Sequence, residues 1–126
     1  MRELLEQIPR RWGLGAVEQK REDLWFAAGD IDGIEDLLAH LRDRLGFTAL
    51  VFITAVDYPE QDIFQLTYML YSPGMKKNLG IRARVDRNRP EAPSVHRLWA
   101  HAKTFQREMK EMFGIDFPGS PGVDDP

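Results

Sequence analysis

Three strand-forming runs follow one another in this chain: FTALVFITAV (47–56), IFQLTYMLYS (63–72) and LGIRARV (79–85). They are joined only by the turns DYPEQD and SPGMKKN. A parallel connection needs a crossover of a dozen residues or more, so turns this short make the three runs an antiparallel meander. All three are rich in β-branched, aromatic and large apolar residues, which suit a pleated, partly buried surface. The middle run is apolar on both alternating sets, as expected of a central strand covered on both faces. The last run alternates, with Leu79, Ile81, Ala83 and Val85 pointing one way and Arg82 and Arg84 the other. That is the pattern of a half-buried strand.

The flanking segments supply the helices. MRELLEQI reads as a short helix stopped near Pro9, residues 10–22 as a loop or an early strand, and LWFAA (24–28) as a short buried strand. Ile34, Leu37, Leu38, Leu41 and Leu45 recur at helical spacing. Asp32 with Glu35 resembles a capping box at the start of that helix, and Gly46 suits a left-handed stop at its end. After a Pro-rich loop, Ser94 is placed to cap a short helical segment, VHRLWAH.

The last helix spans roughly 102–113. On a wheel of about 100° per residue, Ala102, Phe105, Met109, Met112 and Phe113 form its core face, with Lys103, Arg107, Lys110 and Glu111 on the far side. Glu108 lies at the edge of the apolar arc, and Gly114 ends the helix. The order α, β, α, β, β, β, α predicts one right-handed crossover followed by the meander. The fold class is α+β, a two-layer domain with a mixed, mostly antiparallel sheet covered by helices. One domain is expected over 1–121, followed by a flexible C-terminal tail at 122–126.

Several function classes find no support. The chain contains no cysteine, which excludes disulfides, a thiol nucleophile and thiolate-held zinc or iron–sulfur clusters within it. A net charge of −3 lacks the basic excess that nucleic-acid binding calls for. The strongest apolar run, ALVFITAV, falls far short of a membrane span, and the N-terminus lacks the pattern of a signal peptide. The chain is therefore expected to be soluble and to meet a membrane only through a partner. His96 and His101 are five apart, about 140° on a helix, so they do not converge on a metal. Arg107 and Glu111 have the spacing of an ordinary helix ion pair. GLG at 13–15 lacks the rest of a nucleotide fingerprint. No catalytic, cofactor-binding or metal residues are assigned, and no cofactor is expected.

What remains is an aromatic-rich chain without a reactive constellation, which suits an interaction module. The expected contact residues are Arg107, Glu108, Phe113, Ile115, Asp116 and Phe117. For the aromatics a core role and a partner-anchor role are equally compatible with the residue types.

The segment SVHRLWAHAKTFQREMKEMFGIDFPGSP (94–121) resembles the signature of the 30 kDa subunit of respiratory NADH–quinone oxidoreductase, complex I. Pro93, Ser94, Val95, Leu98 and Trp99 match its opening. Arg107 and Glu108 match its charged pair. Met112, Phe113, Gly114, Ile115, Phe117, Gly119 and Pro121 match its close. TAVDYPEQDIFQLTYMLYS is similar to an earlier stretch, so the resemblance covers about residues 30–121. The chain departs from the pattern at Thr104 for Trp, Gln106 for Glu, Glu111 for Asp and Ser120 for His. The resemblance implies a cofactor-free subunit in the peripheral arm, on the cytoplasmic side of the membrane. Its partners would be the large quinone-site or nickel–iron-type subunit and the small iron–sulfur subunit. The loosened motif and short length are also similar to members found in energy-converting membrane-bound nickel–iron hydrogenases. An independent small ligand-binding or catalytic domain is the alternative from a different class.

Overall fold

The computed structural model describes residues 1–8 and 12–122. The expected stop at Pro9 and the tail beyond Gly122 therefore lie outside the described residues. Among the described residues no helix is long and apolar enough to cross a membrane.

The described elements are α1 (Arg2–Glu6), β1 (Val17–Arg21), β2 (Leu24–Gly29), α2 (Ile34–Leu45), β3 (Ala49–Tyr58), β4 (Ile63–Ser72), β5 (Lys77–Asp86) and α3 (Ala102–Phe113). The strands form one five-stranded sheet in the order β1-β2-β5-β4-β3. β3, β4 and β5 make the antiparallel meander. β5 then lies parallel to β2, and β1 pairs with β2 as an antiparallel edge. The crossover from β2 through α2 to β3 therefore spans two intervening strands. The α+β, two-layer expectation holds, and residues 17–21 resolve as the early strand.

The strand register sorts the sheet into two faces. One carries Leu66, Tyr68 and Leu70 of β4 opposite Ala83, Ile81 and Leu79 of β5, all with 1% exposure or less. Leu5 of α1, Ile34, Leu37, Leu38 and Leu41 of α2, and Ala102 and Met109 of α3 join the same core. Fully burying such a side chain contributes about 1.5–3 kcal/mol, and this cluster carries the fold. The other face bears no helix among the described residues. β4 is interior, between β5 and β3, but helices cover only one of its faces. Of its second set, Ile63, Gln65, Thr67 and Tyr71 are half-buried and Met69 is buried, with the three described α-helices on the opposite side.

Two helix starts differ from expectation. Asp32 and Glu35 form no capping box. Asp30, extended at the end of β2, accepts a hydrogen bond from the Asp32 N–H at 3.1 Å and opens a tight turn over Ile31–Gly33 that leads into α2. The chain bends immediately after β2, so the cap falls two residues early. VHRLWAH forms turns rather than a helix, although the Ser94 hydroxyl accepts the His96 N–H at 3.3 Å as a cap would; the same hydroxyl also accepts from the Gln106 side chain. The predicted ends are present: Gly46 and Gly114 adopt φ of 82° and 74°, where a side chain would be strained.

The Tyr68 hydroxyl is buried and has no hydrogen-bond partner among the described residues, and burial pushes its pKa up. Tyr68→Phe removes a desolvated polar atom while keeping the ring. It is expected to leave stability unchanged or raise it by about 1–2 kcal/mol. A phenol whose folded pKa is raised contributes stability below its unfolded pKa, near 10, and loses it as pH climbs above that value. Denaturant titrations at neutral and alkaline pH check both points, since the variant lacks the alkaline loss from this group.

Candidate partner interface

α3 lies across β3, the last strand of the sheet. Its buried strip is Ala102, Gln106 and Met109, continued by Phe113, whose ring meets Phe64 edge-on at 5.6 Å. Gln106 is a polar residue absent from the expected core face, yet its spacing from Ala102 and Met109 places it on that strip. It has no solvent exposure. Its Oε1 accepts the Val95 N–H at 2.9 Å, and its Nε2 donates to Ser94 Oγ at 2.8 Å and to Ser120 Oγ at 2.7 Å. One buried amide thus ties the loop before α3 to the segment after it. Ser94 also accepts from the His96 N–H and lies 2.6 Å from His96 Nδ1.

After Gly114 the chain turns back along the core. Asp116 forms a parallel bridge with Glu91: the Ala92 N–H donates to the Asp116 carbonyl at 2.9 Å, and the Asp116 N–H to the Pro90 carbonyl at 2.8 Å. The bridge drives Ile115 and Phe117, on either side of Asp116, into the core with no exposure. Lys110 pairs with the Asp116 carboxylate. Trp99 donates its ring N–H to the Thr48 carbonyl at 2.8 Å. His101 Nε2 lies 2.8 Å from the Leu50 carbonyl, beside the irregularity of β3 between Leu50 and Phe52. The two histidines are thus engaged locally, far from sharing a ligand.

The six expected contact residues therefore separate. Ile115 and Phe117 pack inside this chain and leave no surface for another, which decides Phe117 between core and anchor. The Asp116 charge is spent on Lys110. Phe113 is half-buried. Arg107 and Glu108 are exposed, and Arg107 pairs with Glu111 at 3.2 Å, both side chains 64% exposed. Met112, expected in the core, is 69% exposed. The last turn of α3 overhangs the outermost strand, so no strand lies beneath Met112 to cover it. Phe105, Glu108, Met112 and Phe113 line one wall of a shallow apolar groove, with Thr54 and Ala55 of β3 on the other. Val51 and Val56 of β3 are each 46% exposed. The groove offers apolar contact with a carboxylate at its rim. Among the described residues no three His, Asp or Glu side chains are grouped to hold a metal.

The family described as respiratory-chain NADH dehydrogenase, 30 kDa subunit, matches residues 30–125. A subunit of the NADH-quinone oxidoreductase of Moorella thermoacetica is 38% identical over 93 residues, which cover 73% of this chain and 62% of that protein. A Rhizobium etli subunit of the same enzyme is 42% identical over 92 residues, covering 69% of this chain and 44% of its own length. The chain thus spans less than two thirds of the curated relatives it matches. A trypsin-resistant fragment of Nqo5 superposes with a TM-score of 0.78 at 28% identity, over 95% of this chain and 96% of the fragment. A chain of the archaeal membrane-bound sulfane sulfur reductase superposes with a TM-score of 0.86 at 24% identity, over 99% of this chain and 74% of its own, and shares the fold.

Proposed function

The chain belongs to the family of the respiratory-chain NADH dehydrogenase 30 kDa subunit, and from that premise we propose that it is a non-catalytic subunit of the peripheral arm of a membrane-bound oxidoreductase complex. In this reading it docks on the large quinone-site subunit and near the small iron–sulfur subunit, on the cytoplasmic side of the membrane. It supports assembly for electron transfer and carries no redox group itself.

One observation carries the reading: the signature segment divides by burial. Trp99, Ile115 and Phe117 are buried in this chain's own core, and Ser94 is bonded within it, while half-buried Phe113 reaches the groove. Arg107 and Glu108 are exposed beside Met112 and the apolar groove. An exposed i,i+4 pair such as Arg107–Glu111 contributes about 0.3–0.5 kcal/mol to stability. Once covered by a partner, a hydrogen-bonded charge at this place costs about 2–5 kcal/mol when its counterpart is truncated.

Arg107→Ala, and Glu108→Arg combined with Met112→Asp, are expected to leave the thermal midpoint of the chain near the native value. Both are expected to deplete the assembled complex on a native gel. Full assembly by both variants, with normal stability, rules out docking through this face.

A further inference from the structure

We propose that the helix-free face of the sheet is a second docking surface, built around Arg82 and Arg84, that takes a carboxylate-bearing segment of a neighbouring protein. The proposal rests on the reading of the chain as a subunit of a complex and adds a second contact, on the side of the sheet opposite α3.

The register across this face is specific. Phe26 of β2, Gly80 of β5 and Met69 of β4 form one rung. Ala28, Arg82 and Thr67 form a second, and Arg84 stands opposite Gln65 beyond it. Gly80 has no side chain, and the Phe26 ring takes the space: a Cβ at Gly80 would come within 2.5 Å of that ring and 3.1 Å of the Met69 methyl. The ring therefore lies down on the sheet as a platform. Arg82 stacks its guanidinium on the platform, 3.9 Å from the ring centroid. A guanidinium held over an aromatic face can still offer N–H groups to a carboxylate, and the contact reduces the freedom lost when it binds.

The two arginines on this face form no ion pair within the described residues, although the chain has 20 acidic residues against 17 Lys and Arg. Two carboxylates line the same cleft and are engaged elsewhere: Glu18 pairs with Lys20 at 3.0 Å, and Asp30 accepts from the Asp32 N–H at 3.1 Å. Two arginines at i and i+2 on one strand share a face. They present two forks suited to bidentate carboxylate contacts. An apolar floor with arginine at its centre is the composition of a protein interface, and the two unpaired guanidinium forks select an acidic segment.

The test uses the complex isolated through a tag on this chain. The charge-reversed pair R82E/R84E is expected to retain at least about tenfold less of the neighbouring subunits than the native chain. R82Q/R84Q is expected to lie between, and to lose its subunits at lower salt than the native chain does. In the native background, Gln65→benzoylphenylalanine is expected to crosslink to an acidic stretch of another subunit. If R82E/R84E fails to fold, R82Q/R84Q and the crosslink decide. Retention equal to native by the folded pair variants overturns the proposal, as does a crosslink to phospholipid or to a second copy of this chain. A native chain that retains no other subunit overturns the subunit reading and this proposal with it. A native chain that retains them alongside unaffected variants overturns this proposal alone.

Discussion

Phe117→Ala is expected to destabilise the fold by about 3–5 kcal/mol. The side chain has no exposure and sits in the main core with Ile115, Ala92, Val95 and Trp99. It is held there by the bridge between Glu91 and Asp116 and by the Ser120 N–H, which donates to the Phe117 carbonyl at 3.0 Å. That backbone pairing limits collapse around a missing ring, so the cavity remains and adds to the lost transfer energy. Domains of this size are stable by about 5–15 kcal/mol, so a substantial fraction of molecules unfolds on mild warming. Denaturant midpoints measured on the purified chain check this. A loss below about 1 kcal/mol would mean that the exit segment does not pack into the core. Because the ring is internal, depletion of the complex by this variant would follow from loss of fold and would not locate a contact. Arg107, Glu108 and Met112 are the informative positions for that question.

The second large effect is expected at Gln106. Gln106→Leu keeps nearly the same volume but removes all three hydrogen bonds. It strands the Val95 N–H and the Ser120 hydroxyl in a region without water access, at about 1–3 kcal/mol for each unsatisfied group, so a total loss of about 2–4 kcal/mol is expected. Gln106→Glu separates shape from charge. A buried carboxyl here still accepts from the Val95 N–H, and the serine hydroxyls can turn to donate to it. Burial raises the folded pKa of such a group above its unfolded value, so the neutral acid is tolerated at low pH. Stability is then lost as pH rises past the unfolded value, near 4.3. Equilibrium unfolding of both variants between pH 4 and 8 checks the pair: Gln106→Leu is expected to be low throughout, and Gln106→Glu low only toward neutral pH. Equal stability of Gln106→Leu and the native chain would show that the amide clasp does not hold the two segments together.

The same clasp joins two of the departures from the signature that the sequence resembles. Gln106 and Ser120 stand where that signature has Glu and His, and in this chain the two side chains meet at 2.7 Å.

Legibility in the sequence follows the range of the interaction. The limits of α3 at Ala102 and Phe113, the left-handed glycines after both long helices, and the alternation of Leu79, Ile81, Ala83 and Val85 are readable, because periodicity and capping involve residues a few positions apart. β1 is ambiguous between loop and strand in the sequence, since VEQKR is polar and is a strand through its pairing with β2. The parallel contact of β2 with β5 joins segments more than fifty residues apart and has no local mark. Ser94 has the chemistry of a cap and accepts the His96 N–H, but its second bond, to Gln106 twelve residues away, has no local mark.

By itself the sequence determined the elements, the meander and the inward or outward sense of most side chains, because chain geometry sets those over a turn or two. Tertiary structure decided which inward faces found cover. With β3 outermost, Met112 overhangs the sheet and is left in solvent, while the bridge at Asp116 draws Phe117 inside. With the three described helices on one side, Arg82 and Arg84 stand on a face left open. Burial depends on which strand happens to lie next door, and strand order is settled by contacts between segments far apart in the chain.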